Sequence, residues 1–359
     1  MFDGTVLNSE KEEFLKTKYG NLNSNSIPYF NRGRKAFEGE KVQSNIKKML
    51  LASDFVTVTT DYLKEIYHDL YDIPMENIIA VPNLLPRYLF GDRFDPKKKI
   101  EQYKKNKNKP RIGIVSSLSH FNIDNVREDK DGFPVRSEKI GKKTEDGKII
   151  DIVKWVNSKN QEVKFEDTRE ITDDFDEIID CVMETVNDFQ WVCFGYCPPK
   201  LKDLVEKRKI ECYGGVAIMN YPSKLENLNL QAVIAPIKKT AFNFSKSFIK
   251  YMESAALGYP LFATDCLPYN RVMPKSQLFN TSSELKDMLM KLKFGSTGIY
   301  EKIIMNQWQW LNSPCQEGDF NLRNFWLEDN LNIHLDLARL RNKGIECSMS
   351  VYLKKKKEN

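Results

Sequence analysis

The chain has 359 residues, 41% of them hydrophobic and 11% aromatic. That is enough apolar material for two to three packed domains, and it excludes a disordered chain, a collagen-like chain and a coiled-coil rod. Lys and Arg number 55 against 50 Asp and Glu, and the net +5 permits an anionic partner without requiring one.

No apolar run reaches ~18 residues, so no membrane span is expected. The start, MFDGTVLNSEKEEF, is polar and lacks a signal-peptide core. The seven cysteines are odd in number and scattered. Together these features predict reduced thiols and a cytoplasmic setting.

In chain order, residues 1–35 are polar and Asn-rich and read as loop with one short helix. Residues 36–51 put Val42, Ile46, Met49 and Leu50 at helical spacing. DFVTVTT (54–60) is an alternating β-branched strand. Thr60 or Asp61 caps a helix over DYLKEIYHDLY. IIAVPN is a second short strand. Residues 97–111 hold eight Lys/Arg and one Glu and read as a solvated basic linker.

RIGIVSSL (111–118) is a continuously apolar, buried strand. Residues 126–172 are polar and weakly alternating and predict a β-hairpin insertion. Beyond them, helices and short apolar strands alternate: DDFDEIIDCVMETVN then FQWVCFGY, KLKDLVEKR then IECYGG, YPSKLENLN then LQAVIAPI, SKSFIKYMESAAL then YPLFATD. That alternation means a parallel, doubly wound sheet. From about 282 the chain reads as helical, including 322–340.

The segment 231–270 carries the most chemistry. A buried strand ends at Ile237, a loop of about seven residues follows, and a helix opens near Ser245. Ligands of open parallel sheets sit at the carboxyl ends of strands, and a helix N-terminus there offers free N–H groups to an anion. Ser247 and its backbone therefore suit a phosphate. At ~100° per residue, Phe248, Ile249, Met252, Ala255 and Ala256 form the core face. Lys246, Lys250 and Glu253 fall on the opposite side, as two cations that neutralise a pyrophosphate and a carboxylate that accepts from ribose hydroxyls. An exposed face with a Lys250–Glu253 pair is the alternative reading.

The pattern F-N-x-x-K-S-x-x-K-Y-x-E-x-A-x-x-G-x-P, preceded by VIAPI, resembles the nucleotide-binding half of GT-B glycosyltransferases. The nearest resemblance is to the family-4-like (group 1) retaining enzymes, in particular versions found in bacteriophages and in polysaccharide clusters. LASDFVTVTTDYLKEIY with IIAVPN resembles the end of that family's first domain, and RIGIVSSLSHFNID the start of its second. The resemblance covers about residues 36–345. It implies a GT-B-like α/β fold with a Rossmann-type parallel sheet in the C-terminal domain, an incomplete N-terminal Rossmann-like domain and the hairpin insertion. The implied layout is a partial acceptor-side domain at 1–96, the basic linker at 97–110, the nucleotide-sugar domain at 111–300 with the insertion at 126–172, and C-terminal helices with a basic tail at 301–359.

The resemblance further implies transfer of a sugar from a nucleoside-diphosphate sugar, of which UDP-sugar is the leading choice, to a hydroxyl acceptor. Glu253 matches the ribose-binding Glu, and Ser245 stands where the family has an earlier Glu. Lys246 and His120 are the catalytic candidates. Ser116, Ser117, Asn243, Ser245, Ser247, Lys250 and Glu253 are the donor-binding candidates, with no cofactor and no metal. The acceptor is a hydroxymethylated base of phage DNA, or alternatively a surface glycan. A partner chain that supplies missing N-terminal strands, or a non-catalytic nucleotide- or DNA-binding subunit, is the other reading.

Three further features read as structural. Asp174 and Asp176 resemble the metal-binding Asp-x-Asp of GT-A enzymes but sit where a helix begins, where acidic residues cap. Cys181, Cys193, Cys197 and Cys212 lack zinc-site spacing and read as buried thiols. Trp308 and Trp310 read as core.

Overall fold

A computed structural model describes residues 9–19, 40–91, 93–105, 109–116, 127–130, 134–145, 148–157, 161–170, 175–239, 241–294 and 297–333. In chain order the elements are α1 (Ser9–Tyr19), α2 (Glu40–Leu51), β1 (Val56–Val58), α3 (Asp61–Tyr71), β2 (Ile78–Ala80), α4 (Arg87–Phe90), α5 (Pro96–Lys105), β3 (Arg111–Ser116), β4 (Arg127–Asp129), β5 (Pro134–Glu145), β6 (Lys148–Asn157), β7 (Glu162–Val163) and β8 (Thr168–Glu170). They continue with α6 (Asp176–Thr185), β9 (Gln190–Gly195), α7 (Lys202–Glu206), β10 (Glu211–Gly214), α8 (Tyr221–Asn227), β11 (Ala232–Ala235), α9 (Ala241–Phe244), α10 (Ile249–Leu257), β12 (Leu261–Thr264), β13 (Leu278–Phe279), α11 (Ser282–Phe294), α12 (Thr297–Asn312), β14 (Cys315–Glu317) and β15 (Phe320–Leu322). Among the described residues no helix is long and apolar enough to cross a membrane.

The chain divides into two compact units, one of residues 1–46, 118–174 and 240–242, the other of 47–117, 175–239 and 243–359. The first contains an antiparallel sheet in the order β7-β6-β5-β4-β8, so the expected hairpin β5–β6 is flanked by three more strands. Buried Asn157 donates to Asp129, and on the surface the Arg127 guanidinium lies over the exposed Phe165 ring.

The second unit is built on a parallel sheet in the order β10-β9-β3-β11-β12-β13. Counted from β3, this is the doubly wound order 3-2-1-4-5-6, with the reversal between β3 and β11. The strands form because their centres are continuously apolar and flanked by helices on both faces. A separate parallel pair, β1–β2, belongs to the same unit. Thr60 caps α3 as expected, its hydroxyl accepting from the Leu63 amide at 3.1 Å.

Two segments differ from expectation. The basic stretch, read as a solvated linker, forms the helix α5, with one side packed: Tyr103 stacks on Tyr300 at 4.0 Å and the Lys99 ammonium sits over the Tyr259 ring. Residues 322–333 are not a long helix. Asn330 accepts from the Arg323 amide and donates to the carbonyls of Asn324 and Trp326, while Asn324 accepts from the Trp326 amide. Asparagine side chains thus take the backbone bonds that a helix would need. The freed strip pairs with Leu85 through Phe325 and Leu327 and seats the fully buried Trp326.

A buried amide joins α12 to the sheet. Gln307 accepts from the Leu261 amide and from Gln277, and donates to the Tyr259 carbonyl at 2.7 Å. Gln307→Leu leaves the Leu261 amide and the Tyr259 carbonyl without partners, each worth about 1–3 kcal/mol, while Gln277 keeps its bond to the Leu261 carbonyl. The expected loss is about 2 kcal/mol or more in denaturant unfolding. A loss below ~1 kcal/mol would show that the network is dispensable.

Candidate functional site

The site forms where β3 and β11 end. The last turn of β9 needs a glycine: Gly195 has φ +98, and a Cβ there would meet the Ser116 carbonyl at 2.0 Å. This close approach lets the Ser116 hydroxyl donate to the Tyr196 carbonyl at 2.9 Å. Ser116 is thereby held as a strand-end anchor.

Opposite it, the chain leaves β11 and reaches α10. The helix begins at Ile249, four residues later than the sequence pattern suggests, after the separate turn α9. Phe248, the residue just before the helix, is buried against Trp310 and Phe325. Ser247 therefore is not at a free helix N-terminus. Its hydroxyl accepts from Asn83 at 2.8 Å, and the Ser245 carbonyl accepts from Thr60 at 3.1 Å. Asn243 is buried and donates to the Lys238 carbonyl. Ser245 is likewise buried.

The expected exposed stripe on α10 is also corrected. Tyr251, Met252, Ser254, Ala255, Ala256 and Leu257 are all buried, so the helix is enclosed nearly all round, and Lys250 and Glu253 are half-buried. Lys250 donates to the Val115 carbonyl at 2.6 Å. Glu253 accepts from the Tyr221 hydroxyl at 3.0 Å. Burial pushes the Lys250 ammonium down and the Glu253 carboxyl up, each partly offset by the other's charge. The Tyr221 phenol is pushed up by burial and by Glu253. Its ring stacks on Phe194 of β9 at 5.7 Å, which fixes its reach toward α10. A cation, a carboxylate and a phenol thus converge at the topological switch point, the expected ligand position in such a sheet.

Lys246 lies nearby in a pocket of about 180 Å³ lined also by Thr60, Tyr62, Phe248, Arg271 and Glu317. Arg271 bridges Asp61 at 3.1 Å and Glu317 at 3.3 Å. Burial raises the Glu317 carboxyl, and Arg271 opposes the rise. The pocket sits at the carboxyl ends of β1 and β2, so both parallel arrays point their carboxyl ends toward this region.

Of the sequence candidates, Ser116, Lys250 and Glu253 come together at the switch point, and Lys246 lines the adjoining pocket. Ser117 and His120 lie outside the described residues, as do Asp174 and the Asp176 side chain. Among the described residues no group of three or more His, Cys, Asp or Glu is arranged to hold a metal ion. Sequence reasoning missed Tyr221, Asn83 and Arg271. Their partners are 32 or more positions away, and no local pattern marks them.

The sequence matches no family model and no curated protein. Solved structures do align. The complex of Anabaena HepE with UDP-glucose superposes at TM-score 0.52 and 10% identity, over 87% of this chain and 71% of that one. HepE with UDP and glucose gives 0.50 at 10% identity, over 87% and 70%. The fold is GT-B-like. A glycosyltransferase from Rickettsia africae aligns at TM-score 0.43 and 12% identity, over 82% of this chain and 66% of that chain. The chain therefore spans about two thirds to seven tenths of the length of these structures.

Proposed function

We propose that this GT-B-like protein is a nucleotide-sugar-dependent glycosyltransferase whose donor lies at the carboxyl ends of β3 and β11. The observation that carries the reading is the convergence of Lys250, Glu253 and Tyr221 at the switch point of the sheet. A UDP-glucose complex of HepE with this fold makes UDP the nucleotide to test first. In this reading Glu253 turns from Tyr221 to the ribose hydroxyls, and Lys250 is the cation beside the nucleotide. Lys246, the Ser245–Ser247 backbone, Ser116, Ser117, Asn243 and His120 line the diphosphate and sugar.

The chemistry follows from charge. An acceptor hydroxyl attacks the anomeric carbon, the bond to the β-phosphate oxygen breaks, and negative charge grows on the leaving diphosphate. Fixed cations that meet this charge in a partly dry site lower the barrier, and positioning supplies much of the remainder. No side chain is assigned as a covalent nucleophile, and retention of configuration belongs to the same proposal. Lys97, Lys98, Lys104 and Lys105 are exposed on α5. They favour a polyanionic acceptor, a hydroxymethylated base in phage DNA, over a neutral surface glycan, and DNA binding would then weaken steeply with salt. A partner chain that extends the β1–β2 pair completes the reading.

The test is titration of the purified chain with UDP and UDP-sugars, followed by assays of sugar transfer and donor hydrolysis. Micromolar UDP binding with transfer supports the enzyme. Binding without transfer or hydrolysis supports a non-catalytic subunit, and no binding to any nucleotide overturns both.

The raised Glu253 carboxyl sets a pH dependence. A carboxyl shifted up takes its proton at a higher pH than an ordinary Glu, and once neutral it no longer accepts from two ribose hydroxyls as an anion. UDP affinity is expected to fall as pH drops, beginning at a higher pH than an ordinary Glu would give, while Glu253→Gln gives a flatter profile. Identical profiles would remove Glu253 from ribose binding, because the diphosphate's own ionisation is common to both proteins.

A further inference from the structure

The amino ends of the parallel sheet carry a cleft that the function above does not use. It has a volume of about 780 Å³ and lies between α5 and the starts of β3, β9, β10 and β11. Arg111 opens β3 and Ser116 closes it, so roughly 16 Å of strand separates this cleft from the proposed donor site. β10 is the edge strand here and contributes Glu211 to the cleft; the next residue, Cys212, expected to be buried, is exposed on that edge.

The charge of the cleft is one-sided. Among the described residues, Lys99, Lys105, Lys109 and Arg111 line it against a single carboxylate, Glu211. That carboxylate is committed. It accepts two bonds from the Arg111 guanidinium at 2.7 Å each and one from the Tyr213 hydroxyl at 2.7 Å. Arg111 also donates to the Leu228 carbonyl at 2.8 Å, so the pair makes a fixed floor. The three lysines are then surplus positive charge. Lys105 has an exposed i,i+4 pair with Glu101 at 3.3 Å, which contributes little. Lys109 donates to the Val186 carbonyl at 3.3 Å. Lys99 sits over the Tyr259 ring at 4.1 Å, and burial pushes its ammonium down to about 8 against the charge of Glu226, which Arg93 already bridges at 3.1 Å. An anion in the cleft supplies the countercharge that these lysines lack.

Carboxamides make up much of the remaining lining: Gln102, Gln190, Asn227, Asn229 and Gln231. Gln231 is held in place, accepting from the Arg111 amide and donating to the Asn229 carbonyl at 3.2 Å. A carboxamide both donates and accepts, as a sugar hydroxyl does. The geometry points to a binding site for a sugar phosphate, with the phosphate among the lysines and the sugar hydroxyls on the carboxamides. Inorganic phosphate would leave the carboxamides and most of the volume unused. A neutral sugar would leave the lysine charge unanswered. A nucleotide base would call for a free ring face, whereas Tyr300 is buried and stacked on Tyr103 at 4.0 Å.

The test is titration calorimetry of the full chain with glucose 6-phosphate, glucose 1-phosphate and N-acetylglucosamine 1-phosphate, each with and without saturating UDP. At least one of the three should bind with a Kd below ~1 mM, independently of UDP and at least ~10-fold tighter than glucose or inorganic phosphate. Lys105→Gln combined with Lys109→Gln should weaken that binding at least ~10-fold and leave UDP affinity as it was. Lys97→Gln combined with Lys104→Gln, on the same helix but outside the cleft, should stay within ~2-fold of the wild type. All four lysines are exposed, so the variants should fold. Four results would each overturn the assignment: no binding of any of the three, equal binding of inorganic phosphate alone, displacement by UDP, or equal losses in the two double variants. Glu253→Ala should keep the sugar phosphate, so a failure of the donor site and a failure of this cleft are read separately.

Discussion

Replacing Glu253 by Ala is expected to weaken UDP binding by about 10- to 150-fold. A carboxylate that accepts from ribose hydroxyls makes charge-assisted bonds worth about 1.5–3 kcal/mol, and each 1.4 kcal/mol is a factor of ten. The variant should fold: its carboxyl is held above its ordinary range by burial, so the carboxylate is no asset to the folded state on its own. What Ala leaves behind is the Tyr221 hydroxyl without its acceptor and Lys250 without its nearest countercharge. Tyr221→Phe separates the two roles. It removes the phenol hydroxyl, keeps the stack on Phe194, and should change UDP affinity by less than ~5-fold. Titration calorimetry on the three proteins, with thermal unfolding alongside, reads both. Equal affinities for the wild type and Glu253→Ala would move the donor site off α10 and direct attention to the pocket around Lys246.

The fold was largely legible because its signals are local. Short apolar strands alternating with helices require parallel crossovers, and these place β3, β9, β10, β11 and β12 in one sheet. Gly258 marks the end of α10 for a local reason too: it adopts φ +69, the left-handed cap that a glycine favours. Misreadings arose where a distant partner overrides the local pattern. One side of α5 packs through Tyr103 and Lys99 onto Tyr300 and Tyr259. Asn324 and Asn330 turn a helical-looking pattern into a strip that pairs with Leu85. The site divides the same way. Lys250 and Glu253 could be found from spacing on one helix. Their inward direction could not, because Val115 and Tyr221 come from other elements and the α12 aromatics enclose the helix.

Gly195→Ala should cost about 3 kcal/mol or more of stability and loosen the proposed donor side with it. The position combines a backbone conformation that L-residues rarely adopt with a Cβ that would lie 2.0 Å from a carbonyl oxygen. That oxygen belongs to Ser116 and is part of the backbone, so no side-chain rotation relieves the clash. Either β9 retreats from β3 or the turn at Tyr196 opens, and both break the bond from the Ser116 hydroxyl to the Tyr196 carbonyl. A built-in control sits across the ladder. Gly214 pairs with Gly195 on the neighbouring strand, yet a Cβ there meets nothing within 4 Å, and Gly214→Ala should stay within about 0.5 kcal/mol of the wild type. Urea unfolding of the two variants measures the contrast. If both cost the same, the close approach of β9 to Ser116 is not needed for folding. If only Gly195→Ala is costly and its UDP affinity also falls, the glycine is what lets two strand ends meet closely enough to form the floor of the proposed donor site.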